Sequence, residues 1–134
     1  MTHPRKTIRD YAIAQLNTIA ELSVDSQTLE NVAQNTLPAA RVMITNEEAE
    51  QETQNPPQFM TDGLMIIQVR ATGANSVDQL DDLAEQIVPL MLADTTYGGI
   101  CKISNYRGYA LELNENTNDV TINLQFSFQY LSSF

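Results

Sequence analysis

"VTINLQFSFQY", residues 120–130, decides the fold because its side chains alternate without a break. One face carries Ile122, Leu124, Phe126, Phe128 and Tyr130, and the other carries the uncharged polar side chains Thr121, Asn123, Gln125, Ser127 and Gln129. A strand with one apolar and one wet face is typical of an antiparallel sheet that helices cover on one side. The polar row is either an ordinary wet face or a face that stacks against a neighbouring copy, where unpaired charges would be costly.

The segments before this strand complete a single domain of residues 1–134. Apolar periodicity predicts helices over 4–22 and 76–92 and strands over 39–45, 59–72 and 101–113, with a further short edge strand near 29–32. The order α-β-β-α-β-β lacks repeated βαβ units and therefore predicts an α+β two-layer sandwich. We expect a mostly antiparallel or mixed sheet of about four to five strands, with two helices packed on one face.

The second helix carries two local signals. Ser76 and Gln79 have the spacing of a capping box, in which each side chain satisfies a free backbone N–H of the first turn. Pro89 lies near the other end, where its missing N–H and its ring should kink or end the helix. We therefore expect the helix to begin at Ser76 and to be disturbed close to Pro89.

Residues 46–58 contain the densest cluster of acidic residues in the chain. Four glutamates (Glu47, Glu48, Glu50 and Glu52) precede the pair Pro56 and Pro57, and no apolar periodicity runs through the segment. We predict a flexible acidic loop. Its carboxylates are weak candidates for a hard cation such as Mg²⁺ or Ca²⁺, because the spacing lacks the alternation and glycine of an EF-hand. The preferred interpretation is a loop that meets another protein.

Charge limits the classes of partner. The chain of 134 residues has seven Lys and Arg against seventeen Asp and Glu, a net charge of −10 at pH 7. This balance disfavours contact with a phosphate backbone, so no sequence-specific nucleic acid binding is expected. Three cations, Arg5, Lys6 and Arg9, lie in the first nine residues. They form either a solvated helix start or a basic anchor for an acidic partner.

Few residues could support catalysis. His3 is the only histidine and lies at the extreme N-terminus, where chains are often frayed, so we expect no histidine triad to be built from it. Cys101 is the only cysteine, so no intrachain disulfide can form. The chain contains neither GxxxxGK[ST] nor GxGxxG. We therefore expect no enzyme activity and no cofactor. No apolar run of about 18 residues occurs, so we expect no membrane span and no signal peptide, and hence a soluble protein.

Three motifs in order resemble the tail terminator (minor tail) proteins of lambda-like siphophages. They are the N-terminal "HPRKTIRDYAIAQL", then "LPAARVMITNEEAEQE", and then "LDDLAEQIVPLM" with its Glu85-x-Ile87-x-Pro89-x-Met91 ending. The terminal "NYRGYALELNENTNDVTINLQFSFQY" agrees as well. The likeness covers nearly the whole chain, except residues 23–36 and 94–100.

The resemblance implies an α/β sandwich without enzymatic activity that forms a ring, most often a hexamer. Such a ring caps the head-proximal end of the tail tube, ends polymerisation of the major tail tube protein and offers a surface to head-completion or connector proteins. It also implies assembly in the host cytoplasm and a place in the virion, in the tail at the head-tail junction.

Two alternatives remain open at this point. One is a head-tail connector or neck completion protein of similar fold, and a remote one is a small metal-dependent enzyme that uses the 47–52 carboxylates. For the assembly roles, the candidate subunit or tube interface consists of the basic start, the acidic loop and the polar strand face: Arg5, Lys6, Arg9, Glu47, Glu48, Glu50, Glu52, Pro56, Pro57, Thr121, Asn123, Gln125, Ser127 and Gln129.

Overall fold

One mixed sheet and two helices make up the fold. The structure is a computed structural model and describes residues 4–20, 22–24, 38–54, 57–114 and 119–132. Its elements are α1 (Pro4–Leu16), β1 (Ser23–Val24), β2 (Ala39–Gln54), β3 (Pro57–Thr72), α2 (Ser76–Leu92), β4 (Ile103–Asn114) and β5 (Asp119–Ser132). The strand order is β1-β2-β3-β5-β4, in which only the β1–β2 pair is parallel. The predicted α+β class is confirmed. The edge strand predicted near 29–32 falls outside the described residues.

The helices cover the face of the sheet that carries the apolar row of β5. From α1, Ile8, Ala12 and Leu16 are buried there. From α2, the buried apolar side chains are Leu80, Leu83, Ile87 and Met91. We call this the helix face of the sheet and the opposite one the open face, since no described helix packs on it.

The first helix is shorter than predicted. It ends at Leu16 rather than near residue 22, because the chain tightens there into a turn. The N–H of Thr18 donates to the carbonyl of Gln15, and the Thr18 hydroxyl donates to the same oxygen at 2.6 Å. A threonine hydroxyl that bonds a nearby carbonyl competes with the helical pattern. The predicted apolar stripe still holds, because Ile19 is buried from the turn.

The second helix has its predicted bounds but not its predicted cap. Asn75 takes the N-cap position and makes no side-chain cap hydrogen bond, so the capping box at Ser76 and Gln79 is wrong. Ser76 is buried instead. Pro89 lies inside the helix, which ends three residues later at Leu92.

The prediction of a flexible loop over residues 46–58 is wrong. Residues 46–54 continue β2, and residues 57–58 open β3; between them, residues 55–56 lie outside the described ranges. Fourteen residues of β2 pair with β3, from Ala39 opposite Arg70 to Gln54 opposite Pro57. A strand that is exposed on both faces needs no apolar periodicity, because the backbone ladder alone holds it. Pro57 takes the first position of its strand, where its missing N–H costs no ladder bond.

The connection from α2 to β4 folds back into the core. Tyr97, Gly98 and Gly99 all have positive φ, of 51°, 73° and 87°. The Asp94 carboxylate accepts hydrogen bonds from the backbone N–H groups of Thr96 and Gly98, at 3.0 and 2.9 Å. This closed turn points Tyr97 inward, where it is fully buried.

Candidate functional site

Glu47 is tied into the protein and is not part of an open acidic cluster. The Tyr130 hydroxyl donates a hydrogen bond to Glu47 Oε2. On its other oxygen, Glu47 Oε1 lies 2.9 Å from Arg5 Nε of α1. Burial, together with the Glu47 carboxylate, raises the pKa of Tyr130 to about 12. The two candidate interface residues Arg5 and Glu47 therefore contact each other, and they fasten α1 to the sheet.

The other three glutamates lie along an outer strand of the sheet. The parallel partner β1 pairs only with Ala39 and Ala40, so no described strand pairs with the outer edge of β2 beyond that point. Every residue from Glu48 to Gln54 is exposed. Because side chains alternate along a strand, Glu47 faces the helix side, whereas Glu48 and Glu50 face the open side. The ladder shifts register between Ile44 and Asn46 and again between Gln51 and Thr53, which leaves Glu52 unpaired at the second shift.

The four glutamates do not share one face of the sheet. Glu47 faces the helix side and Glu48 and Glu50 face the open side, and the described residues contain no group of three or more His, Cys, Asp or Glu side chains that could hold a metal ion. His3 lies outside the described residues. Cys101 is buried, and its burial raises its thiol pKa to about 11, which keeps it protonated near neutral pH.

The rest of the basic start is only partly free. Lys6 Nζ lies 3.7 Å from Asp10 one turn further along α1, and both side chains are largely exposed. An exposed pair of this kind contributes little to stability. Arg9 is half-buried. Of the two predicted loop prolines, Pro56 lies outside the described residues, and Pro57 is exposed at the start of β3.

The predicted polar row of β5 lies on the open face between β3 and β4, and side chains of these neighbouring strands hydrogen-bond to it. Gln68 Nε2 donates to Asn123 Oδ1 at 2.9 Å, and Gln68 Oε1 accepts from Arg41 Nε at 2.8 Å. Lower down the same face, Gln129 donates to Asp62 at 2.9 Å. These bonds link three adjacent strands through their side chains.

An open groove lies where this face meets β4. Its volume is about 430 Å³, and Arg107 Nε donates to the Ser127 hydroxyl at 3.0 Å on its wall. The lining residues are Asp62, Ile103, Asn105, Arg107, Ser127, Phe128 and Gln129. The fold thus brings Ser127 and Gln129 together with the Arg107 guanidinium and the Asp62 carboxylate. No sequence pattern had connected these residues. At the opposite end of the face, Arg70 pairs with the buried carboxylate of Asp119. Thr121 and Gln125 are half-buried in the same row.

The sequence did not predict a second exposed surface, an apolar row on β4. Tyr109, Leu111 and Leu113 alternate along β4 as a core strand would, yet they are 64%, 40% and 69% exposed. They are on the helix face, opposite the buried Leu124, Ile122 and Val120. Alternation identifies a strand but not its place in the sheet; the only hint is Gly108, whose positive φ accompanies a register shift typical of sheet edges.

Comparison with known proteins adds no relative. No protein-family model matches the chain, and no curated protein shows significant similarity to it. None of the described helices is long and apolar enough to span a membrane. The candidate site consists of three exposed surfaces: the acidic outer strand, the polar open face with its groove, and the apolar row on β4.

Proposed function

We propose that this chain is a structural virion-assembly protein that forms a ring, most often a hexamer, on the head-proximal end of a phage tail tube. There it ends polymerisation of the major tail tube protein and offers a surface for the head-completion or connector protein. The proposal includes a place in the virion at the head-tail junction, after assembly in the host cytoplasm, and no enzymatic activity.

One observation carries the proposal beyond the sequence resemblance: the acidic outer strand is exposed and yet held in place. Residues Glu48–Gln54 are exposed, but apart from Glu52 they are paired to β3, which in turn is paired to β5 as far as Phe59 opposite Ser132. A surface that is already ordered costs little conformational entropy on binding, so it suits docking onto a repeating tube. A mobile loop would lose far more conformational entropy on binding.

The net charge of the chain provides a test of ring formation. Six chains in a ring would carry about −60 at pH 7, with the glutamates of β2 among the exposed charges. Salt screens such repulsion over distances of about 8 to 10 Å at physiological strength. We expect the ring fraction in sedimentation velocity to rise with NaCl or Mg²⁺ concentration.

The decisive experiment measures tube length. Tail-tube subunits of the same virus are polymerised with increasing amounts of the purified protein, and lengths are measured by negative-stain microscopy. A terminator shortens the tubes in proportion to its amount, whereas a connector that acts on the head side leaves their length unchanged.

A matched pair of variants assigns the effect to the outer strand. Glu48→Gln, Glu50→Gln and Glu52→Gln together remove three charges there, and Asp81→Asn, Asp82→Asn and Glu85→Gln remove three from the exposed side of α2. We expect the first set to reduce capping at least tenfold and the second to leave it unchanged. Equal effects of both sets would contradict a role for this strand.

A further inference from the structure

The two outer strands of the sheet differ sharply in chemistry. Along β2, exposed glutamates and two register shifts disfavour pairing with another strand. Charges and bulges of this kind are how proteins protect a free sheet edge. From Gly108 to Asn114, β4 pairs with β5 without a register shift and contains one charged residue, Glu112. No described strand pairs with its other edge.

On this β4 edge, an exposed apolar row lies beside backbone groups that no described strand pairs with. Tyr109, Leu111 and Leu113 project on the helix face next to the outermost ladder. A free edge offers N–H and C=O groups to another strand, and an apolar row beside it adds burial when that strand arrives. Protected edges carry lysine or proline at such positions; this edge carries two leucines and a tyrosine.

We propose that residues 108–114 pair antiparallel with the same residues of a second copy, about a two-fold axis through Leu111. The two five-stranded sheets then form one continuous sheet. Leu111 faces Leu111 of the second copy, and each Tyr109 faces the other copy's Leu113. The axis is perpendicular to the sheet, so both helix layers lie on the same side.

Charge and register favour a second copy as the occupant. Centring on Leu111 overlaps both apolar rows completely, because opposite residues of antiparallel strands share a face. The same register sets Glu112 opposite Ala110 of the second copy, so no like charges meet. Centring on Tyr109 would instead bring Leu111 against Arg107 and the register shift. The β2 strand of a second copy would bring its glutamates toward the apolar row.

The contact between the two copies is small. The three side chains expose roughly 300 Å² of mostly apolar surface per copy, which is below the roughly 800 Å² per partner of a stable complex. The pair is therefore weak and depends on concentration. A two-fold contact uses the same surface on both copies and cannot by itself close a six-membered ring. The inference is thus independent of the proposed function.

Sedimentation equilibrium from 1 to 300 µM, in 0.3 M NaCl to screen the net charge, tests the pairing. We expect a monomer–dimer step, resolved by mass from any larger ring, whose Kd rises at least tenfold in Leu113→Lys. The matched control Leu131→Lys changes an exposed leucine on β5 and should leave the Kd unchanged. Circular dichroism and thermal unfolding verify that both variants fold. A wild type that is monomeric throughout would overturn the proposal.

Crosslinking tests the register. Under mild oxidation, Leu111→Cys should form a disulfide-linked dimer at least ten times faster than Glu112→Cys, because only residue 111 faces itself. The buried Cys101 is common to both variants. Equal rates would overturn the register. If tubes are capped but Leu111→Cys does not crosslink, this inference fails and the proposed function stands. If Leu111→Cys crosslinks but the protein leaves tube length unaffected, this inference stands and the proposed function fails.

Discussion

Replacing Gly63 by alanine should destabilise the protein, although the same change in an open strand would stabilise it. Gly63 lies in β3 directly opposite Phe128 of β5, and its φ is outside the left-handed region. Where space allows, Gly→Ala stabilises by about 0.4 to 1 kcal/mol, because it restricts the unfolded chain. The sign of the stability change in Gly63→Ala therefore shows whether there is space for a methyl group at this position.

The structure leaves no space for the added methyl group. A Cβ on Gly63 would lie 2.6 and 2.9 Å from Cε2 and Cε1 of Phe128, and closer still to Cζ. The ring is buried and stacks on Tyr130, with centroids 6.0 Å apart and planes 11° apart. It cannot move without disturbing its neighbour. Overpacking of this kind costs about 1 to 3 kcal/mol, so we expect a net loss of about 1 to 2 kcal/mol.

Urea unfolding at pH 7 measures this loss, and Phe128→Leu provides the matched partner for a double-mutant cycle. Leucine keeps the site apolar but removes the ring atoms that the methyl group would meet. The double variant should then be at least 1 kcal/mol more stable than the sum of the single effects predicts. If Gly63→Ala stabilises the protein, or if the two changes add within about 0.5 kcal/mol, the close approach of ring and backbone is refuted.

Two further predictions concern the buried polar groups. Burial raises the pKa of Tyr97 and of Tyr130 to about 12, above the unfolded value of about 10; their contribution to stability is thus complete below pH 10 and is lost as pH rises toward 12. Denaturant midpoints between pH 9 and 12 should fall less steeply in Tyr97→Phe than in the wild type, with the exposed Tyr109→Phe as control, and equal slopes would contradict this. Glu47→Ala should cost about 1 to 3 kcal/mol in urea unfolding, because it removes the acceptor of the buried Tyr130 hydroxyl. Glu50→Ala in the same strand should change stability by less than about 0.5 kcal/mol, and equal effects would show that Glu47 is as solvated as its neighbour.

Long elements with strong periodicity were predictable from sequence. The bounds of α2 match the prediction, and the alternation of residues 120–130 correctly separates the buried row of β5 from its polar row. In both cases the signal is the burial of one side of the element. Burial of one side produces a regular spacing of apolar residues, which can be read directly from the sequence.

Elements held by the backbone alone were not predictable. Residues 48–54 bury neither face, so their sequence carries no period that distinguishes a strand from a loop. The pairing of Glu47 with Arg5 and Tyr130 depends on three segments that only the fold brings together. The exposure of Tyr109, Leu111 and Leu113 depends on β4 being outermost, which is a property of strand order and not of β4 itself.

The central strand β3 couples the registers of its two neighbouring strands. It is paired with β2 on one side and with β5 on the other, along nearly all of its 16 residues. A slip by one position would invert every side chain relative to two ladders at once. It would also bring Asp62 or Leu64, in place of Gly63, against the Phe128 ring. The absence of a side chain at Gly63 therefore selects one register for β2, β3 and β5 together.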